Sequence, residues 1–221
     1  MNRRNYQKEL DRIVQKRGSR TPRVLLHSCC GPCSTAVIER LAAEWDITVF
    51  YFNPNITDPS EYEHRKAEQK RFITEYNRKA PAPVAFIEGD YDPSLFFALT
   101  EGHAEDREGG PRCAICFRQR LEAAAALAKS LGFDAFDTTL TVSPYKNYDV
   151  ISATGRELET EYGVAYAGGN YKKKDGYRRS VALSAEYGLY RQHYCGCIFS
   201  KKQAEDDRAA RAAEKAAEAM S

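Results

Sequence analysis

Seven cysteines, and above all their spacing, are the residues of this 221-residue chain that are best suited to chemistry. They fall into three groups: Cys29, Cys30 and Cys33; Cys113 and Cys116; Cys195 and Cys197. Thiolates bind soft metals and carry out thiol–disulfide exchange. An odd number of cysteines in close groups does not suit a framework of structural disulfides, so the pattern indicates metal ligation or redox chemistry.

The first two groups are suited to one metal centre, because four thiolates in two close pairs hold either zinc or an iron–sulfur cluster. Cys113 and Cys116 are one helical turn apart. Cys29–Cys33 links a predicted strand to a predicted helix, whose terminal amides stabilise negative charge. Vicinal cysteines are unusual in a zinc knuckle, and the two pairs are far apart in the sequence. Iron–sulfur ligation is therefore favoured over zinc, with inert buried thiols as the remaining alternative.

Cys195 and Cys197 suit a different chemistry. Cysteines at positions i and i+2 are poor partners for one tetrahedral site, but they can close a small strained disulfide, which is the reducible kind. A buried turn with two small residues is the alternative. Cys30-Gly31-Pro32-Cys33 also matches the active-site tetrapeptide of thioredoxins. A thioredoxin-like disulfide reductase would leave the other cysteines unexplained.

The elements that must position these cysteines alternate between strand and helix. Apolar runs predict strands at 24–27, 47–52, 84–87 and 133–140. Helical spacing predicts helices at 34–45 (capped by Ser34), 59–78 (capped by Asp58), 95–99, 113–131 and 149–162, after an N-terminal helix carrying Tyr6, Leu10, Ile13 and Val14. This alternation is typical of an α/β fold with a parallel sheet and helices on both faces.

Ligands of such folds bind at the carboxyl ends of the strands. Three predicted loops, 28–33, 53–55 and 141–144, follow strands and should meet at this edge. The sequence therefore predicts an active site that contains the first cysteine group.

The C-terminal third combines basic and aromatic residues. Between Tyr171 and Tyr194 the basic residues are Lys172, Lys173, Lys174, Arg178, Arg179 and Arg191. The tyrosines among them are Tyr171, Tyr177, Tyr187, Tyr190 and Tyr194. Cations bind phosphates and rings stack on unpaired bases, so the segment is typical of an RNA-binding surface. Because the net charge of the whole chain is only +2, this local clustering carries the inference, and a solvated basic loop is the alternative.

The length predicts one catalytic domain, 1–202, followed by an Ala-rich charged tail, 203–221. Within the domain, 1–20 is the N-terminal helix and 163–200 is the segment expected to contact RNA and to carry the redox cysteines. The tail is expected to be an exposed helix with an Asp207–Arg211 pair, or partly disordered. No apolar run is long enough to cross a bilayer and no secretory signal is visible, so we expect a cytoplasmic protein without a membrane partner.

Several short motifs follow one another between about residues 23 and 200, and both their residues and their order are informative. They are Leu25–Ser34, Phe52–Ile56, Glu61-Tyr62 with Arg65, Asp90-Tyr91, Arg112–Leu121, Thr138–Leu140 with Ser143–Asn147, and Arg191–Cys197. Together they resemble the cobalamin-independent epoxyqueuosine reductases. The resemblance implies a HUP-type fold related to the PP-loop enzymes. The phosphate signature of those enzymes is absent from Ser28–Ser34, so we do not expect ATP use.

The resemblance also implies the site. A [4Fe-4S] cluster would be bound by Cys29, Cys30, Cys113 and Cys116, with Cys33 as the ligand of an additional iron ion or a spare ligand. Cys195 and Cys197 would be a redox-active disulfide pair. The substrate would be tRNA carrying epoxyqueuosine at the wobble position of the anticodon, reduced to queuosine with electrons from an unidentified donor.

We expect the substrate to be bound by Asn53, Asn55, Tyr145, Lys146, Lys172, Lys173, Arg178, Arg179 and Arg191. Candidates for handling protons are His27, Tyr145, Lys146, Asp134 and Asp137. Two functions from other classes remain open at this point: a zinc-stabilised RNA-binding protein without redox activity, and a thioredoxin-like disulfide reductase.

Overall fold

Five parallel strands form the centre of the fold in a computed structural model of the chain, which describes residues 20–219, with side chains as far as 216. The strands are β1 (Arg23–His27), β2 (Asp46–Tyr51), β3 (Ala85–Glu88), β4 (Ala135–Thr138) and β5 (Ala165–Tyr166). Their order across the sheet is β3-β2-β1-β4-β5. The predicted parallel sheet is confirmed. The predicted helix with Tyr6, Leu10, Ile13 and Val14 lies outside the described residues.

Seven α-helices are seen in the described part of the chain. They are α1 (Gly31–Leu41), α2 (Pro59–Asn77), α3 (Pro93–Leu99), α4 (Pro111–Ser130), α5 (Tyr148–Tyr162), α6 (Gly176–Glu186) and α7 (Ile198–Ala219), and a 3₁₀ turn (Thr139–Val142) follows β4. None of these helices is long and apolar enough to cross a membrane.

Local sequence explains where most helices begin. The first four helices each have a proline in the first turn, where its missing N–H costs no hydrogen bond. The predicted cap at Asp58 is confirmed, since its Oδ1 accepts a 2.9 Å hydrogen bond from the amide of Ser60. Asp92 and Asn147 cap α3 and α5 in the same way.

The predicted start of α1 was wrong. The helix begins at Gly31 rather than after Ser34, because Pro32 suits its first turn and Cys30 is the capping residue. The Ser34 hydroxyl instead donates back to the carbonyl of Gly31 at 2.8 Å. Cys33 therefore lies in the first turn of a helix and not in a loop. Trp45, predicted on the same helix, lies beyond its end at Leu41.

The fourth strand is also shorter than predicted and ends at Thr138. The Thr138 hydroxyl accepts from the amide of Leu140 at 3.1 Å, which starts the 3₁₀ turn. One helix was not foreseen: α6, inside the basic segment. The exposed helix expected in the tail is present as α7, but it begins earlier, at Ile198, and runs through the predicted domain limit at 202.

The sheet is covered on both faces. Alternate residues of β1 point to opposite sides, so Val24 and Leu26 pack with Ile38 of α1 and Phe72 of α2. Leu25 faces the other way and packs in the cluster formed by α4 and α5. With both faces occupied, the carboxyl edge of the sheet is left for the site.

Candidate metal centre and active site

Three thiols converge at the carboxyl end of β1. The sulfur atoms of Cys29, Cys30 and Cys33 all lie within 4.8 Å of one another, and those of Cys29 and Cys30 are 3.8 Å apart. Neighbouring strands fix the loop: the Ser28 amide donates to the carbonyl of Phe50, and the Asn53 side-chain amide donates to the carbonyl of Ser28 at 2.9 Å. This trio of thiols is preformed and has the composition of a site for a soft metal.

The three thiols differ in their pKa values. Hydrogen bonds from Cys30 and Cys33 hold the pKa of the Cys29 thiol well below its ordinary value. This sharing of protons raises the pKa of Cys30 to about 12 and that of Cys33 well above the ordinary value. Cys29 is therefore the first thiolate of the group, and a metal that binds all three must displace the protons of the other two.

Cys113 and Cys116 lie in the first two turns of α4. Cys113 packs against the hydrophobic cluster that contains Cys29 and Cys30, and its sulfur accepts from the Gly109 amide at 3.2 Å. Burial raises the pKa of Cys116 to about 12. Neither sulfur belongs to the 4.8 Å trio.

A buried cation lies among these sulfurs. Arg120 is almost completely buried on α4, and its Nε donates to the carbonyl of Cys116 at 3.1 Å. Its Nη2 has no hydrogen-bond partner within the described part of the chain. Although burial alone would lower its pKa, the neighbouring thiols of Cys116, Cys195, Cys29 and Cys113 raise it when they are deprotonated.

An unsatisfied buried donor of this kind costs about 1–3 kcal/mol. A centre that carries net negative charge, such as metal bound by several thiolates, would remove that cost. The donor set and the unpartnered guanidinium together fit such a centre.

The segment with Cys195 and Cys197 closes over this region. Both thiols are free. Arg65 of α2 donates to the carbonyls of Cys195 and Tyr194 at 2.9 and 3.4 Å, and its Nε donates to Glu61. Cys197 lies at the start of α7, where its sulfur accepts from the Ser200 amide at 3.4 Å. Cys197 and Cys116 share a small apolar cluster with Phe96.

A cleft of about 570 Å³ opens above the thiols. Cys29 and Cys33 lie at its base and Cys195 lies on its wall. Three predicted substrate-binding residues line it: Tyr145, Lys146 and Arg191. Other lining residues that the sequence did not single out for this role are Tyr177, Gln192, His193, Gln203, Asp207, Arg208 and Arg211.

The other predicted substrate-binding residues do not line the cleft. Asn53 and Asn55 are buried beneath the cysteine loops. Lys172 donates to the carbonyl of Lys146 at 3.0 Å, and Lys173 is exposed. The remaining two are arginines paired with carboxylates: Arg178 with Asp175 and Arg179 with Glu39. Their roles in binding remain predictions.

Of the five candidates for handling protons, two face the cleft, Tyr145 and Lys146. Burial by itself would lower the pKa of Lys146, but the thiols of Cys195, Cys29 and Cys33 raise it when they are deprotonated. Lys146 is therefore held as an ammonium group next to the thiols.

The other three candidates are engaged elsewhere. His27 is fully buried between Thr138 and the carbonyl of Phe52, and burial lowers its pKa to about 3. Burial raises the pKa of Asp137 to about 6, and its carboxylate accepts from the hydroxyl of Tyr171. Asp134 is bound by Arg20 at 2.8 Å. None of the three lines the cleft, and Asp134 lies at the opposite, amino ends of β1 and β4.

Arg120 lies within the motif Arg112–Leu121, but the sequence assigned it no role in this site. A signal existed: it follows Cys116 by one helical turn, on a face that continues with Phe117, Leu121 and Ala124. A cation on such a buried face needs an anionic partner nearby.

Comparison with known proteins adds to this geometry. A family profile described as "Epoxyqueuosine reductase QueH" matches residues 24–203. The chain belongs to the QueH family. A relative from Staphylococcus epidermidis, named epoxyqueuosine reductase QueH, is 40% identical over 200 residues, which cover 89% of this chain and 84% of the relative. The QueH protein of Thermotoga maritima is 34% identical over 180 residues, covering 80% of this chain and 89% of that one.

Among solved structures, the chain is similar to the U34-tRNA thiolase NcsA from Methanococcus maripaludis with its [4Fe-4S] cluster. The TM-score is 0.47 at 13% identity, over 91% of this chain and 71% of that one. This likeness is too distant to bear on the chemistry. Membership of the QueH family rests on the sequence match, and it confirms the resemblance seen in the motifs.

Proposed function

We propose that this chain is an epoxyqueuosine reductase that acts on tRNA, reducing the epoxide of epoxyqueuosine at the wobble position to queuosine. One observation carries the proposal: three cysteine sulfurs lie within 4.8 Å of one another at the base of an open cleft, in a member of the QueH family. A soft-metal site that substrate can reach is what a reductive metalloenzyme needs.

We assign a [4Fe-4S] cluster to Cys29, Cys30, Cys113 and Cys116, and an additional iron ion to Cys33. Two features support the assignment: Cys113 packs against the cluster that holds Cys29 and Cys30, and the buried guanidinium of Arg120 lies among their charges. When bound, such a centre supplies one-electron transfer and a Lewis-acidic iron.

The overall reaction balances with the second cysteine pair as the reductant. Both carbon–oxygen bonds of the epoxide break, a carbon–carbon double bond forms, and the oxygen leaves as water. Cys195 and Cys197 supply the two electrons and two protons as they pass from dithiol to disulfide. An external electron donor then returns the pair to the dithiol.

The protein side chains have separate tasks in this scheme. Lys146 keeps its ammonium group charged and lines the cleft, so it is placed to stabilise the negative charge that develops on the departing oxygen, while the protons come from Cys195 and Cys197. Arg65 fixes the backbone of the redox pair through the carbonyl of Cys195. Tyr145 and Arg191, which line the same cleft, contact the modified nucleotide.

The test is metal and sulfide analysis of anaerobically purified protein, combined with mass spectrometry of tRNA carrying epoxyqueuosine. We expect iron with acid-labile sulfide and conversion to queuosine. Cys113→Ala should lose cluster iron and activity. Arg118→Ala, an exposed change on the same helix, should keep both.

Two results contradict the proposal. Colourless protein with stoichiometric zinc and no conversion would identify a zinc-stabilised RNA-binding protein. Reduction of disulfide substrates by metal-free protein, with full activity in Cys113→Ala, would identify a thioredoxin-like reductase.

A further inference from the structure

Helix α7 forms one wall of the cleft. We propose that this wall binds tRNA, with Arg208 and Arg211 contacting phosphates of the anticodon loop while the loop's bases enter the cleft. This inference rests on the proposed function, because it concerns how the same substrate is held. It assigns a role to a part of the chain that lies beyond the family match, which ends at residue 203.

The wall is fixed to the body of the protein along one helix face. At the first turn Ser200 is buried, and the ring of the neighbouring Phe199 lies 4.6 Å from the guanidinium of Arg112. One turn later the Gln203 side chain accepts from the amide of Glu108 at 2.9 Å. After a further turn, Asp207 lies 4.0 Å from Arg107. Contacts spaced by three and four residues lie on one side of a helix, so α7 is held at a defined angle to the cleft.

The charge of the lining is suited to phosphate. Four cationic side chains line the cleft, Lys146, Arg191, Arg208 and Arg211, against two carboxylates, Glu108 and Asp207. One of these carboxylates, that of Asp207, lies near Arg107 and is partly neutralised. Cationic side chains of the lining therefore outnumber its carboxylates, and α7 supplies half of the cations.

The two α7 arginines are also free to bind. Within residues 20–216, neither Arg208 nor Arg211 has a carboxylate within 4.0 Å, and both are exposed. Arg178 and Arg179, in contrast, are already paired with carboxylates and do not line the cleft. A cation without a protein partner has no ion pair to break when it meets a phosphate, so Arg208 and Arg211 are the better phosphate ligands.

The rest of the lining fits unpaired bases. Rings of Tyr145, Tyr177, His193 and Tyr194 face the same cleft, and Tyr145 is 77% exposed. Aromatic rings stack on bases that have left a helix, as they do in an anticodon loop. If the loop places its phosphates on the α7 wall and its nucleobases among these rings, one of its nucleotides points toward Cys29 and Cys33 at the bottom of the cleft.

The experiment compares two double variants of the iron-loaded protein. Arg208→Ala/Arg211→Ala removes the proposed phosphate ligands. Lys202→Ala/Lys215→Ala removes the same charge from exposed residues of the same helix that do not line the cleft. The probe is the anticodon stem–loop of a tRNA that carries epoxyqueuosine. Circular dichroism and iron content should match the wild type in both variants.

We expect the arginine variant to raise the Kd for the stem–loop about tenfold and to raise KM while kcat changes little. The slope of log Kd against log salt concentration should fall by about 1.4, because each phosphate contact on a single strand contributes about 0.7. The lysine variant should change Kd less than about twofold, and Arg208→Lys/Arg211→Lys should restore most of the affinity.

Equal binding by the arginine variant and the wild type would overturn the inference, as would an equal loss in the lysine variant. In either case, turnover by the wild type would leave the proposed function standing. A wild-type protein that neither binds the stem–loop nor converts epoxyqueuosine would overturn both.

Discussion

Arg65 donates a 2.9 Å hydrogen bond to the carbonyl of Cys195, which joins the second helix of the fold to the segment that carries Cys195 and Cys197. The guanidinium is almost completely buried, is paired with Glu61, and lies 5.1 Å from the centre of the Tyr194 ring. A backbone turn without regular structure is thus held by one side chain from a rigid helix.

Arg65→Met should therefore destabilise the protein by about 3–5 kcal/mol, because it removes the buried ion pair with Glu61 and leaves the carbonyls of Tyr194 and Cys195 without their donor. Chemical unfolding under anaerobic conditions measures the loss. Arg118→Ala, which breaks exposed ion pairs, should cost less than about 1 kcal/mol. If the two substitutions cost the same, Arg65 does not hold the segment.

Arg120→Met should shift the midpoint potential of the iron–sulfur centre to more negative values. A positive charge near the centre favours its reduced, more negative form, so removing the charge disfavours reduction. We expect a shift of roughly 60 mV, equivalent to about 1.4 kcal/mol for one electron. Anaerobic redox titration followed by absorbance measures it. An unchanged potential in fully iron-loaded protein would show that Arg120 does not act on the centre, and Arg118→Met is the matched control.

Gly196→Ala should disrupt the redox pair. Gly196 has a φ of +138°, and an added Cβ would meet Ile56 at 2.9 Å and Arg65 at 3.3 Å. We expect a loss of about 1–3 kcal/mol in stability and a slower disulfide exchange at Cys195 and Cys197. Gly132→Ala has a positive φ of +65° but nothing within 4 Å, so it measures the backbone cost alone. Equal losses would mean that the close contacts are irrelevant.

Lys146→Met should lower kcat by about 10²–10³, the usual loss when one donor that stabilises a developing oxyanion is removed. Steady-state conversion of tRNA carrying epoxyqueuosine measures it, and an unchanged kcat would contradict this role.

His27→Asn should keep the pH dependence of kcat/KM unchanged, because burial lowers the pKa of His27 to about 3 and the ring is neutral at working pH. It should lose about 1–3 kcal/mol in stability through unmet buried hydrogen bonds. A changed inflection in the pH profile of His27→Asn would contradict the assignment.

Much of the fold was predictable because its signals are local. The segments that form strands are rich in β-branched and aromatic residues. The helix cap at Asp58 can be recognised from the four consecutive residues 58–61. The start of α1 was misplaced because Ser34 is a good cap in isolation. Pro32 and the packing of the cysteine loop decided the boundary. Strand β5 was not predicted, because it has only two residues, Ala165 and Tyr166, which are too few to show an alternating pattern.

Only the part of the site that follows from the order of the strands was predictable. Parallel strands bring their carboxyl ends to one edge, so Cys29 and the loop after β4 were expected together. The position of α7 as a wall of the cleft was not predictable, because its sequence is that of an ordinary charged helix. The contacts that place it, those of Gln203 and Asp207, join residues about a hundred positions apart in the sequence. The role of Arg120 likewise depends on neighbours that only the folded chain provides.

The spacing of the thiols along the chain also sets an order of assembly. Cys29, Cys30 and Cys33 are made early in synthesis and lie within one loop and one turn of helix, whereas Cys113 and Cys116 are made about eighty residues later, on a helix that packs against both β1 and β4. A nascent chain thus exposes an incomplete set of donors until most of it has left the ribosome. Metal delivered during that interval would find three thiols and not the full site, so maturation belongs after folding, on the finished protein.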